Sequence, residues 1–286
     1  MSAMLALTLV LAVLVGVTLG LLGGGGSILT VPLLVYVAGM ETKEAIATSL
    51  LVVGVTSAVG AISHARARRV QWRTGLVFGV AGMAGAYAGG RLAAFIPGQW
   101  LLIGFAVMMV ATALAMLRPQ REIDPADAPD HLPTARVVLD GLVVGLVTGL
   151  VGAGGGFLVV PALALLGGLP MPVAIGTSLV VIAMKSMAGL AGYLSSVTID
   201  WPIAAMVTAA AVLGALLGGP LAGRIPPQTL RRLFGWFVLI MAIMIGAQEA
   251  PGAGWTWAVL TLGAVLLVGT WLVLRRQESA VDAAQT

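Results

Sequence analysis

Residues 20–32 read GLLGGGGSILTVP, and residues 149–161 read GLVGAGGGFLVVP. The two stretches lie 129 residues apart and align without a gap. Working outward, the match continues at the same spacing. Gly16 pairs with Gly145, and AIATSL at 45–50 pairs with AIGTSL at 174–179. Gly60, Trp72, Gly85, Gly89, Pro97 and Gln99 pair with Gly189, Trp201, Gly214, Gly218, Pro226 and Gln228. Apolar segments resemble one another by chance, so only the Gly, Pro, Trp and Thr-Ser matches carry weight. Their constant offset indicates an internal duplication.

Composition says where such a chain lives. Of 286 residues, 59% are hydrophobic and 9% charged, with mean hydropathy +1.07. A soluble domain carries about 25% charged residues, so this chain lacks the polar surface that water requires. Apolar runs of membrane-spanning length recur. The net charge of +4 arises from 13 Arg and 2 Lys, and nearly all the Arg lie between apolar runs. That is the positive-inside pattern rather than a nucleic-acid patch. With no Cys, disulfides, thiol catalysis and thiolate metal sites are excluded. His64 and His131 are too few for a His-built metal site. The segment MSAMLALTLVLAVLVG at 1–16 lacks a basic leader and reads as a retained membrane segment.

These observations predict an all-α integral membrane protein with two inverted repeats and no cofactor. Repeat one covers 1–118 and repeat two 137–250, joined by a polar cytoplasmic linker at 119–136. Residues 251–286 add an extra transmembrane helix and a cytoplasmic tail. Each repeat holds a glycine-tipped helix pair followed by three spans, at about 43–64, 73–95 and 99–117, then 172–194, 202–223 and 229–249. The arms at 28–39 and 157–169 reach about 18 Å as helices, short of a hydrocarbon core of about 30 Å. They are expected to be re-entrant or broken, although two short tilted crossings give the same sidedness. The inversion follows from charge. Arg66, Arg68, Arg69 and Arg73 follow the first span of copy one, whereas the equivalent SSVTIDWP at 195–202 has no Arg or Lys. Copy two instead carries Arg224, Arg231 and Arg232 one loop later, on the opposite face of its repeat.

Candidate chemistry concentrates in three places. Gly24, Gly25, Gly26 and Ser27, with Gly154, Gly155 and Gly156, sit where a broken helix would turn several N–H groups toward an anion. The competing reading is close helix packing, as for the GxxxG pairs Gly85/Gly89 and Gly214/Gly218. No Gly-Lys-Ser/Thr follows either cluster, which excludes a nucleotide P-loop. Lys185 lies mid-span with no acid in its segment, so a bound anion would supply its countercharge; the alternative is a snorkelling lysine. Thr48, Ser49, Thr177 and Ser178 occupy matching places and either donate to substrate oxygens or bond their own helix carbonyls. His64 is a candidate proton-coupling group or a plain interfacial His. The acids Glu41, Glu44, Asp140, Asp200 and Glu249 all fall near span ends, which leaves an intramembrane enzyme without its machinery.

The glycine cluster, the short apolar stretch ending in Pro, and the Ala-x-x-Thr-Ser-Leu element, present in both halves, resemble the sulfite exporter TauE/SafE family, or toluene sulfonate uptake permease class. The resemblance covers about residues 5–250. It implies a multi-pass carrier of the bacterial inner membrane for sulfite or organosulfonates. Ala153 interrupts the second glycine cluster, and Gly156 stands where copy one has Ser27. The expected function is therefore secondary transport of a small anion by alternating access, with the bilayer and that anion as partners and protons as a coupling ion. No nucleic acid is involved, and an oligomer stays open. A passive anion channel, or a carrier of a non-sulfur organic anion, is the alternative.

Overall fold

The computed structural model describes residues 3–22, 25–117, 134–152, 156–161, 163, 169, 171–221, 227–249 and 263. Its regular structure among these residues is helical throughout. In chain order the helices are α1 (Ala3–Leu22), α2 (Thr30–Pro32), α3 (Thr42–Arg66), α4 (Trp72–Leu92), α5 (Gly98–Leu117), α6 (Thr134–Val151), α7 (Gly156–Pro161), α8 (Met171–Tyr193), α9 (Trp201–Leu221) and α10 (Pro227–Glu249). Among the described residues five stretches are long and apolar enough to cross a membrane: Met4–Leu21, Thr42–Arg66, Trp72–Phe95, Val173–Tyr193 and Trp201–Gly218. Gly98–Leu114, Val137–Val151 and Val238–Glu249 are apolar but shorter. α6 starts at Thr134, three residues inside the stretch read as linker, because Thr-Ala-Arg continues the helix once Pro133 is passed. The remaining linker residues and the span expected at about 255–274 lie outside the described residues, Gly263 excepted.

The first arm, expected to be re-entrant or broken, is not a uniform helix. A 3₁₀ turn over Gly25–Leu29 runs into α2 and then into a π turn over Leu33–Val37. The arm therefore begins three residues before Ile28 and changes pitch twice, a kind of irregularity that concentrates at functional positions. It stops at Gly39, whose left-handed φ of 70° lets the Met40 N–H reach back to the Leu34 carbonyl at 3.0 Å. The same bond recurs 129 residues on, from the Leu169 N–H to the Leu163 carbonyl at 3.2 Å.

Two compact units emerge, and neither is one sequence copy. The first takes Met1–Leu101 and Arg121–Pro226; the second takes Leu102–Gln120 and Pro227–Thr286. Both therefore draw on both copies, and the second holds α10 and most of its equivalent, α5.

Packing inside the first unit obeys the 129-residue offset. α1 packs on α9 as α6 packs on α4, and α3 packs on α9 as α8 packs on α4. A Cβ added at Gly85 would meet the Leu142 carbonyl oxygen at 2.2 Å; one at the equivalent Gly214 would meet the equivalent Val13 carbonyl oxygen at 2.0 Å. Such approaches need glycine on one face, and small residues drive helix association in lipid. The two apolar clusters also correspond. Leu34, Ala45, Val52 and Val207 of one match Leu163, Ala174, Val181 and Phe78 of the other. α3 and α8 are each other's equivalents and pack together. Leu50 lies near Gly189, Gly54 near Ser186 and Met187, and Gly60 near Leu179, so the two helices run antiparallel. Outside, exposed apolar side chains such as Met4, Leu7, Val10 and Leu14 stripe α1 at helical spacing, and exposed Trp72, Trp100 and Trp201 sit at helix starts.

Candidate functional site

The antiparallel pair α3 and α8 brings the unusual side chains together. Contacts between the two helices centre near residues 55–56 of α3 and 184–185 of α8. Thr56 and Ser57 are therefore at the crossing, and 129 residues on are Lys185 and Ser186, at the same crossing. Lys185 is 1% exposed, Thr56 1%, Ser57 and Ser186 0%. None of the four side chains has a hydrogen-bond partner among the described residues. Lys185 lies 14 residues from the start of α8 and 8 from its end, about 21 Å and about 12 Å of helix. Its stem runs past Gly82 of α4, where an added Cβ would lie 3.8 Å from Lys185 Cβ and Cδ. Its near-complete burial removes the snorkelling reading.

A hydroxyl in a membrane helix ordinarily bonds the carbonyl one turn back. Thr8, Thr112, Thr148 and Thr208 do so, at 2.6–2.9 Å to Met4, Met108, Val144 and Ala204. Thr56, Ser57 and Ser186 do not. A buried polar group left unpaired costs about 1–3 kcal/mol, and a charged one more. The crossing thus concentrates unspent donors: three ammonium N–H groups and three hydroxyls.

The expected Thr-Ser pairs split. Ser49 donates to the Gly152 carbonyl at 2.9 Å, tying α3 to the second glycine tip. Ser178 returns to its own helix through the Ile175 carbonyl at 2.7 Å. Thr177 Oγ1 accepts from the Gln71 N–H at 2.9 Å. Thr48 Oγ1 is buried without a partner among the described residues, as is Thr30 Oγ1 on α2.

At the glycine tips, the structure accounts for some residues by packing. A Cβ on Gly26 would sit 2.5 Å from the Leu19 nitrogen, and one on Gly152 would sit 2.3 Å from Ile46 Cγ2. Gly25 opens the 3₁₀ turn, Ser27 is buried, and Gly156 opens α7. Gly24, Gly154 and Gly155 lie outside the described residues. The turn at Gly25–Leu29 contacts α7, so the two tips meet. Leu19, against which Gly26 packs, clusters with Val53 and Ile182, one helical turn from the α3–α8 crossing. His64 closes α3; its Nδ1 is buried without a partner among the described residues, and its Cβ lies near Gly176 of α8. Glu44 accepts from the Asp200 N–H at 3.1 Å, and Asp200 caps α9 through the Ile203 N–H at 3.2 Å, so both acids serve helix ends. Among the described residues no cluster of acids and histidines could hold a metal.

Sequence reading missed Thr56, Ser57 and Ser186. The available signal was the offset itself, since Lys185-Ser186 falls opposite Thr56-Ser57.

A helical bundle with membrane-length apolar helices and a buried lysine defines a multi-pass membrane protein. Residues 8–245 match the family model described as sulfite exporter TauE/SafE. The chain belongs to that family and is a membrane transporter. A probable membrane transporter protein of Xylella fastidiosa is 36% identical over 239 residues, covering 81% of this chain and 91% of the relative. One from Methanocaldococcus jannaschii is 27% identical over 257 residues, covering 85% and 95%. One from Bacillus subtilis, YunE, is 28% identical over 262 residues, covering 84% and 94%. No solved structure matches the chain.

Proposed function

We propose that this transporter moves a small sulfur-containing anion, sulfite or an organosulfonate, across the bacterial inner membrane by alternating access, with Lys185 as the substrate's countercharge. The carrying observation is Lys185 itself, 1% exposed near the middle of α8, with no hydrogen-bond partner for its Nζ among the described residues. A cation at the centre of a membrane helix costs about 2.5–3.5 kcal/mol on insertion scales. A bound anion offsets that cost in the loaded state.

Alternating access needs two halves that exchange roles. The antiparallel run of the equivalent helices α3 and α8 supports an inverted repeat, as does the residue-level match between the α1–α9 and α4–α6 contacts. The meeting of the glycine tips, one apolar layer from the crossing, supports placing them, with the Thr-Ser pairs, along the substrate path. His64 is the proposed proton-coupling group for import, its buried Nδ1 being unpaired among the described residues. Export needs no such partner, because expelling an anion from a negative-inside cell gains about 2.3 kcal/mol per charge per 100 mV.

Radiolabelled sulfite and methanesulfonate flux into proteoliposomes tests the reading. Saturable, gradient-dependent flux that falls at least tenfold in Lys185→Ala and Lys185→Met is expected. Flux in those variants equal to that of the parent protein, at equal membrane content, would remove Lys185 from the site. Unitary currents across a planar bilayer would replace the carrier with a channel.

A further inference from the structure

The donors around Lys185 are more specific than a single positive charge. We infer that the α3–α8 crossing is a binding site for a singly charged oxyanion of the sulfonate type, and that Thr56, Ser57 and Ser186 donate to its oxygens. The inference rests on the proposed role of Lys185 and adds the residues and the charge that the site selects.

Three observations carry it. First, these three hydroxyls decline the helix carbonyls that Thr8, Thr112, Thr148 and Thr208 accept as partners, although all three are buried. A hydroxyl that neither back-bonds nor reaches water requires another acceptor. Second, Thr56 and Ser57 of α3 and Lys185 and Ser186 of α8 share one backbone level at the crossing of two equivalent helices, so donor-bearing residues of both helices occupy one depth of the bundle. Ser186 Cβ lies 3.3 Å from where a Gly54 Cβ would be, which places its side chain against α3. Third, the balance of donors and charge is one-sided. Hydroxyls alone could ligate a cation, but an ammonium in the same place supplies only donors and repels one. With one cation and no buried acid at the crossing among the described residues, a monoanion leaves the site neutral. A dianion leaves one negative charge uncompensated in a low-dielectric interior, where isolated charge is strongly disfavoured.

The equivalence of residues 56 and 185 supplies a test particular to this geometry. Isothermal titration of the purified full-length protein in zwitterionic nanodiscs would use methanesulfonate as the monoanion and sulfate as the dianion. The parent is expected to bind methanesulfonate at least tenfold more tightly than sulfate. Thr56→Val, Ser57→Ala and Ser186→Ala are near-isosteric. Each is expected to weaken methanesulfonate by about tenfold, the range for a hydrogen bond to a charged group. Lys185→Thr should abolish binding, and adding Thr56→Lys to it should restore binding with the same monoanion preference. If Lys185→Thr abolishes binding while all three hydroxyl variants keep the parent affinity, the lysine reading stands and the hydroxyl site is overturned. If sulfate binds as tightly as methanesulfonate, the charge selection is overturned. If Lys185→Thr binds like the parent, the underlying transporter site fails with it.

Discussion

Gly39 and Gly152 hold the same left-handed backbone, with φ of 70° and 75°, in opposite surroundings. Nothing lies within 4 Å of a Cβ built on Gly39, whereas one on Gly152 would meet Ile46 Cγ2 at 2.3 Å and Ile46 Cα at 3.0 Å. Gly39→Ala should therefore cost only the backbone term, about 1–2 kcal/mol. Gly152→Ala should add overpacking of about 1–3 kcal/mol and loosen the Ser49 anchor on the Gly152 carbonyl. Thermal unfolding of the two variants in detergent checks the order; equal losses would show that α3 yields at Ile46. At this scale the candidate site was half legible. Lys185 stands out because a charge in an apolar run is visible in any alphabet of residues. The Thr56, Ser57 and Ser186 hydroxyls do not, because their interest lies in a bond they fail to make with their own helix. That is a matter of side-chain rotamer and neighbours rather than of spacing.

Element boundaries followed closely from local chemistry. Trp72 and Trp201 open α4 and α9, Gly39 stops the first arm, and the long helices end within about three residues of their expected limits. The pitch of the arm was not legible, since a 3₁₀ turn and a π turn within Gly25–Val37 answer to packing against α1 and α3 rather than to periodicity. The same scale gives a paired prediction. Gly85→Ala and Gly214→Ala each drive a methyl into a carbonyl of the partner helix, at 2.2 Å from Leu142 and 2.0 Å from Val13. Both are expected to destabilise by about 1–3 kcal/mol, and by similar amounts, because the two helix pairs are equivalent. Unequal loss in detergent unfolding, with one variant unaffected, would mean that one of the two pairs relaxes freely.

Across the whole chain, the duplication was legible from the matched Gly, Pro, Trp and Thr-Ser positions, but the partners were not. An offset says which helices are equivalent, and it leaves open which ones touch. The sidedness of the halves has a direct test. The chain has no cysteine, so single-cysteine variants need no prior substitutions. Ala67 and Ser196 are exposed, 129 residues apart, and follow α3 and α8. In intact cells an impermeant maleimide should label Ser196→Cys and spare Ala67→Cys until the membrane is opened. Labelling of both from one side would overturn the inverted arrangement. The exchange of partners, α1 with α9 and α6 with α4, also governs biosynthesis. When α1 leaves the ribosome its native neighbour has not been translated, and the α1 face that will meet Gly214 and Gly218 stays uncovered until most of the chain has been inserted. Neither half has a finished surface of its own, so the nascent protein becomes itself only near the end of its synthesis.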